Sequence, residues 1–212
     1  MSEQAPFLSP LVMSIEKSSY PGRPRQFEDE QVIDAAVAVF SANGYAGTSA
    51  QDLCDGTGLG RGSLYNAFGS KQGLYEQALL RSHEQTMAAQ LAILMQPGPV
   101  KARLHTLLLW GMDEDFSQPG QHDAMVLFSA LERGSKDEAV ATLNHEYRQR
   151  LEQTLVAVFT EGQRNGEVGD RASAMQMARG FLAGYYGLRV LSRNIPDRAV
   201  LEDVVAGLLI NL

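Results

Sequence analysis

Residues 48–71, TSAQDLCDGTGLGRGSLYNAFGSK, constrain this chain more than any other stretch. Thr48 reads as the cap of a short helix, with Gln51 three residues later as in a capping box. That helix ends by Gly56 or Gly58. A second short helix spans roughly Arg61 to Phe68. Ser70 then caps a longer helix running to about Met95, where Pro97-Gly98-Pro99 stops it. Gly58 supplies a turn position at positive φ that a Cβ would disfavour. A compact unit of this shape places one helix in the major groove of DNA.

The rest of the chain reads as helix too. Residues 1–26 are rich in Ser and Pro and have no steady period, as expected of a flexible arm. A first helix is expected from near Glu28, with Val32, Ile33, Ala36, Val39 and Phe40 on one stripe and Asn43-Gly44 as its stop. Leu104, Leu107, Leu108 and Met112 mark a later stripe. Met125, Phe128, Leu131 and Glu132 lie on another segment. Residues 136–165 carry Val140, Leu143, Tyr147, Leu151, Leu155, Val158 and Phe159 on one face, and Gly166 ends that helix. Helices over 172–193 and 197–211 close the chain. Strand-like alternation is absent, so the expected fold class is all-α. A helix-turn-helix domain is expected at 27–75 and a larger helical domain at 76–212.

The 212 residues carry a net charge of −7, and such a chain is a poor general binder of nucleic acid. Any DNA contact must come from a locally basic face. Residues 20–82 hold five Lys/Arg against seven Asp/Glu, but 56–75 hold Arg61 and Lys71 and no acid. Leu53, Leu59, Leu64 and Phe68 can form the small core with Val39 and Phe40. That leaves Arg61, Ser63, Tyr65 and Asn66 as the polar set of the second short helix. Arg can read guanine and Asn adenine, while Ser and Tyr commonly hold phosphate. Gly62 permits close approach. Gly22-Arg23-Pro24-Arg25 is similar to minor-groove arms of other binders; a plain basic tail is the alternative.

Taken together, residues from about Gln26 to Tyr75 resemble the TetR family of bacterial transcriptional regulators. GYAGTS and then DLCDGTGLGRGSLYNAFGSKQGLY carry the resemblance, over about a quarter of the chain. It implies that Thr48 and Ser49 lie against phosphate and that Arg61, Gly62, Ser63, Tyr65 and Asn66 face the groove. Lys71 matches the family's phosphate-binding lysine. Gly60 stands where a capping Ser is common, and Gly73 where Glu is common. The resemblance further implies a homodimer on a palindromic operator, with half-sites about 34–36 Å apart, and a small molecule bound in the second half. The usual outcome is repression relieved by that ligand. Activation is one alternative, and a helical ligand-binding protein without DNA binding is another.

An apolar or aromatic ligand suits the Met- and aromatic-rich content of that half. The candidate pocket residues are Trp110, Met112, Phe116, Met125, Phe128, Tyr147, Phe159, Met175, Phe181 and Tyr185, with Met177 beside them. The same residues at helical spacing also fill plain cores. Gly180, Ala183, Gly184 and Gly187 would let helices pack closely, and Leu201, Val204, Val205, Leu208 and Leu209 give the last helix an apolar face. Two such helices from each chain can build a four-helix dimer interface; packing within one chain is the alternative.

Other chemistries find little support. The glycines at 56, 58, 60 and 62 have neither dinucleotide-binding nor P-loop spacing. His83, His105, His122 and His145 show no metal-ligand spacing. No nucleophile signature occurs, so no enzyme and no cofactor are expected. The single cysteine, Cys54, reads as a core thiol, with a redox switch as the alternative. With no signal peptide and no run of about 18 apolar residues, a soluble cytoplasmic protein is expected.

Overall fold

The computed structural model describes residues 25–117, 123–210 and 212. Among them run nine helices and no strand: α1 Arg25–Gly47, α2 Ala50–Thr57, α3 Arg61–Phe68, α4 Lys71–Leu94, α5 Val100–Ser117, α6 Asp123–Glu132, α7 Glu138–Asn165, α8 Ala174–Ser192 and α9 Arg198–Leu209. The expected N-terminal arm, including Gly22, Arg23 and Pro24, lies outside the described residues, as does the side chain of Arg25. No helix among the described residues is long and apolar enough to cross a membrane.

Local chemistry explains most of the helix ends. α1 starts three residues before the expected Glu28. It breaks at Gly44, whose φ of 69° and ψ of 174° only glycine adopts readily. Gly58 closes α2 at φ 71° and Gly166 closes α7 at φ 74°. One cap differs from expectation. Ser49, not Thr48, caps α2, and its box partner is Asp52 rather than Gln51. The reason is tertiary: Thr48 is buried and its hydroxyl donates to the Gly44 carbonyl at 2.6 Å. Ser49 Oγ is left to accept from Asp52 N at 3.1 Å, while Ser49 N donates to the Asp52 carboxylate at 2.7 Å. The Ser49 amide, and after it the Ser49 side chain, hold the Asp52 carboxyl below its ordinary pKa.

Gly60 caps α3 without a side-chain bond. Ser70 Oγ accepts from Gly73 N at 3.0 Å to start α4. A Cβ on Gly73 would sit 2.4 Å from the Phe68 carbonyl oxygen, so the α3–α4 junction is closed tightly around this glycine.

Two apolar cores result. The smaller gathers Ala36, Val37, Phe40, Leu53, Leu64, Phe68, Leu74, Tyr75, Ala78 and Leu79, and is completed by Met125 of α6 and Val140 of α7. The larger runs through α4, α5, α7, α8 and α9, with Leu104, Leu107, Leu108, Met112, Leu151, Leu155 and Phe159 fully buried. The expected boundary at 75–76 falls inside α4: residues through Leu79 pack in the small core, and those from Met87 in the large one.

The larger half also buries a polar chain. Tyr147 Oη donates to Gln90 Oε1 at 2.9 Å, and Gln90 Nε2 donates to Tyr185 Oη at 3.3 Å. Arg189 donates to Tyr185 Oη at 3.3 Å and to the Asp115 carboxylate through both Nε and Nη2. The Arg189–Asp115 pair is 4% and 1% exposed, so it rests on mutual charge and hydrogen bonds rather than on water. Beside this chain, His83 stacks on Tyr147 at 4.7 Å between ring centroids. Burial pushes its pKa down to about 4, only partly offset by Asn144, so it is neutral at pH 7.

Candidate nucleic-acid interface

α3 is anchored on one side and bare on the other. Leu64 and Phe68 are buried in the small core, whereas Arg61, Gly62, Ser63 and Asn66 are exposed. Tyr65 is half-buried, and the Arg61 guanidinium lies 5.8 Å from its ring centroid. Nothing stands within 4 Å of where a Cβ on Gly62 would be, so the backbone there is open to an incoming surface. The exposed face thus offers a cation, a hydroxyl and an amide, the groups that contact base edges and phosphates.

At the other end of the unit the structure brings Thr48, Ser49 and Lys71 together. Lys71 Nζ donates to the Thr48 carbonyl and sits 4.4 Å from the Tyr45 ring centroid. Burial lowers its pKa despite nearby Glu132 and Asp52. Ser49 is exposed; the Thr48 side chain is not.

A cluster absent from the sequence reading joins this unit to the larger half. Glu132, at the end of α6, accepts from Tyr45 N at 2.9 Å and from Ala46 N at 2.7 Å. Arg133 lies 3.8 Å from the Tyr45 ring centroid and donates to Gln72 Oε1 at 2.8 Å and Asp137 Oδ2 at 2.6 Å. The Arg133 bond, with smaller help from Val140 N and Gln72, holds the Asp137 carboxyl below the usual carboxylate range. The hydrogen-bonded partners are 61 to 87 residues apart, except Arg133 and Asp137, and no local pattern marks them.

The larger half contains a cavity of about 820 Å³ between α6, α7 and α8. Val126, Leu127, Ala130 and Leu131 line it from α6, Ala141, Asn144, His145, Tyr147 and Arg148 from α7, and Tyr186, Gly187, Val190 and Leu191 from α8, with Gly134 at the turn. Of the expected ligand residues, Tyr147 lines it. Met112, Phe159, Phe181 and Tyr185 are buried in the large core, and Trp110 and Met177 pack against that core. Met125 belongs to the small core. Phe128 lies under the Arg193 guanidinium at 4.6 Å, and Met175 is an exposed position on α8. The Phe116 side chain lies outside the described residues.

The expected dimer residues divide. Leu201 and Val205 are at most 1% exposed within a single chain, because the α9 stripe faces its own bundle; they are core rather than partner surface. Gly184 admits Leu208: a Cβ there would meet Leu208 Cδ2 at 2.4 Å, so this pair closes α8 on α9 of the same chain. Val204 is half-buried against the large core. Gly180 and Ala183 lie exposed on α8, and Gly187, also exposed, lines the cavity.

Comparison with known proteins agrees with this architecture. Residues 32–78 match the family model described as bacterial regulatory proteins, tetR family. The chain is 28% identical over 188 residues to the uncharacterized HTH-type transcriptional regulator YezE of Bacillus subtilis, covering 87% of this chain and 95% of that one. It is 42% identical over 85 residues to the HTH-type transcriptional repressor BdcR of Escherichia coli, covering 40% and 43%. Among solved structures, a TetR transcriptional regulator from Chloroflexus aurantiacus superposes with a TM-score of 0.77 at 23% identity, over 87% of this chain and 93% of that one. A cysteine-substituted CifR, a TetR family regulator complexed with 26-base-pair double-strand operator DNA, gives 0.77 at 25% identity, over 89% and 98%. Residues 32–78 thus form an N-terminal domain of the tetR family of bacterial regulatory proteins, and over most of its length the chain is similar to helix-turn-helix transcriptional regulators of that family.

Proposed function

We propose that a homodimer of this chain binds a palindromic operator through α3 and represses transcription until a small, largely apolar molecule enters the α6–α7–α8 cavity. The observation that carries the DNA reading is α3 itself: Leu64 and Phe68 fix its inner side while Arg61, Ser63 and Asn66 stand outward around an unobstructed Gly62. Ser49 and Lys71, at the neighbouring helix starts, suit flanking phosphates. The Thr48 hydroxyl is committed to Gly44, so its share of that role is to hold the turn.

A dimer is required because each reading unit offers few cations. The exposed small residues Gly180 and Ala183 on α8 suit close approach by a partner helix. The apolar walls of the cavity, about 820 Å³ in volume, suit an apolar body, and His145 and Arg148 at its side supply polar contacts. A ligand that fits the cavity better in a non-binding arrangement lowers operator affinity by its preference for that arrangement. A regulator of this kind acts in the cytoplasm, where the chromosome is.

The test uses the duplex that the wild-type protein enriches from a randomised pool. Replacing Arg61, Tyr65 and Lys71 together by Ala should abolish retention of that duplex and leave the dimer intact by sedimentation. Unchanged retention by the triple variant sinks the assignment.

A further inference from the structure

The α6 helix has two duties. One side of it walls the cavity with Leu127, Ala130 and Leu131. Its end, one residue further on, grips the reading unit through Glu132. The grip is bidentate. Because Gly44 breaks α1, the amides of Tyr45 and Ala46 turn outward together, and Oε2 and Oε1 of Glu132 take one each, at 2.9 and 2.7 Å. A Cβ on Gly44 would lie 3.1 Å from Glu132 Oε2, so the break and the carboxylate fit one another. Charge-assisted bonds to paired backbone amides are among the stronger and more directional contacts a surface helix can make.

The clamped amides stand four and three residues before the Ser49 cap of α2, and the Thr48 carbonyl ahead of that cap is held by Lys71. Arg133 secures the adjoining side by joining Gln72 of α4 to Asp137, which caps α7. At ten residues α6 is about 15 Å long, short enough to move as one rigid piece.

We propose that Glu132 is the positioning residue through which the larger half sets the placement of α2 and α3, and that filling the α6–α7–α8 cavity weakens DNA binding by displacing this carboxylate from Tyr45 and Ala46. The proposal rests on the DNA reading given above. The clamp is closed in this structure, and this closed arrangement is the proposed operator-binding one.

The test needs no identified ligand, because a side chain can fill the cavity instead. Ala141 is half-buried on the α7 wall, and Ala141→Trp places an indole against α6. The probe is again the duplex enriched by the wild-type protein. Glu132→Gln keeps the size of the side chain but removes its charge and turns a donor toward an amide; the expected loss of affinity is about tenfold, the worth of one charge-assisted bond. Ala141→Trp alone should weaken binding by a similar factor. In the double variant the two losses should not multiply, since the second acts through a contact the first has already removed.

Two readouts separate positioning from general damage. Hydrogen exchange at the Tyr45 and Ala46 amides should accelerate in Glu132→Gln and in Ala141→Trp, while the protection of α7 holds. Multiplicative losses, an Ala141→Trp protein that binds as wild type, or a Glu132→Gln protein that binds as wild type would each overturn the proposal. A wild-type protein that enriches no sequence at all would instead overturn the DNA reading, leaving a different failure to explain.

Discussion

The reading unit and the sensing half are both helical, yet they are held together in different ways. In the reading unit, the helix ends are set by near neighbours: Ser49 with Asp52, Ser70 with Gly73, Thr48 with Gly44, all within four residues. In the sensing half it comes from buried polar groups that meet across the chain, Tyr147 with Gln90 over 57 residues and Arg189 with Asp115 over 74. Short-range devices make a unit that presents a fixed polar edge. Long-range buried pairs specify how large helices stack, and their loss is expensive because a stranded charge cannot reach water.

The sharpest way to break this contrast is Asp115→Ala. It leaves Arg189 buried without its main counter-charge, and urea unfolding should show a loss of about 3–5 kcal/mol. A loss under about 1 kcal/mol, the size of a surface pair, would erase the distinction. Acid supplies the next test. The folded-state pKa of His83 lies below its unfolded value, so the unfolded chain takes up the proton first. Stability from this group is complete above about pH 6.5 and is lost as pH falls toward about 4, by roughly 3 kcal/mol. The pH dependence of a His83→Gln variant should be flatter than wild type over that interval; parallel curves would remove His83 from the account. The smallest effect belongs to the reading unit. Ser49→Ala should cost about 1 kcal/mol, seen as a lower urea midpoint with operator sequence preference unchanged. A much larger loss would mean that the Ser49 cap holds more of the reading unit than its own helix end.

The same contrast explains what could be read from the sequence. The positions of α2, α3 and α4 follow from glycines and caps spaced a few residues apart, and the structure places α3 at Arg61–Phe68 as expected. The choice between Thr48 and Ser49 does not follow, because both have a suitable partner three residues on; the Gly44 carbonyl decides it from outside the motif. The cavity was missed for a physical reason. Large soft residues attract attention as pocket linings, but Met112, Phe159 and Tyr185 fill space completely. Room is left where side chains are small, at Ala130, Gly134, Ala141 and Gly187. The apolar stripe of α9 announces burial without saying against what, and the chain's own bundle takes Leu201 and Val205. Glu132 is one carboxylate in an acidic chain, and only the fold shows which amides it meets.

Met125 and Val140 are 3% and 0% exposed, and both sit in the small core although they belong to α6 and α7. Detaching the first 78 residues would therefore tear open a greasy socket beneath Phe40, Leu74 and Tyr75. The DNA-reading module is not a cassette to be transplanted at will; a working graft must bring along the two plugs from its former neighbour or replace them with others of like bulk.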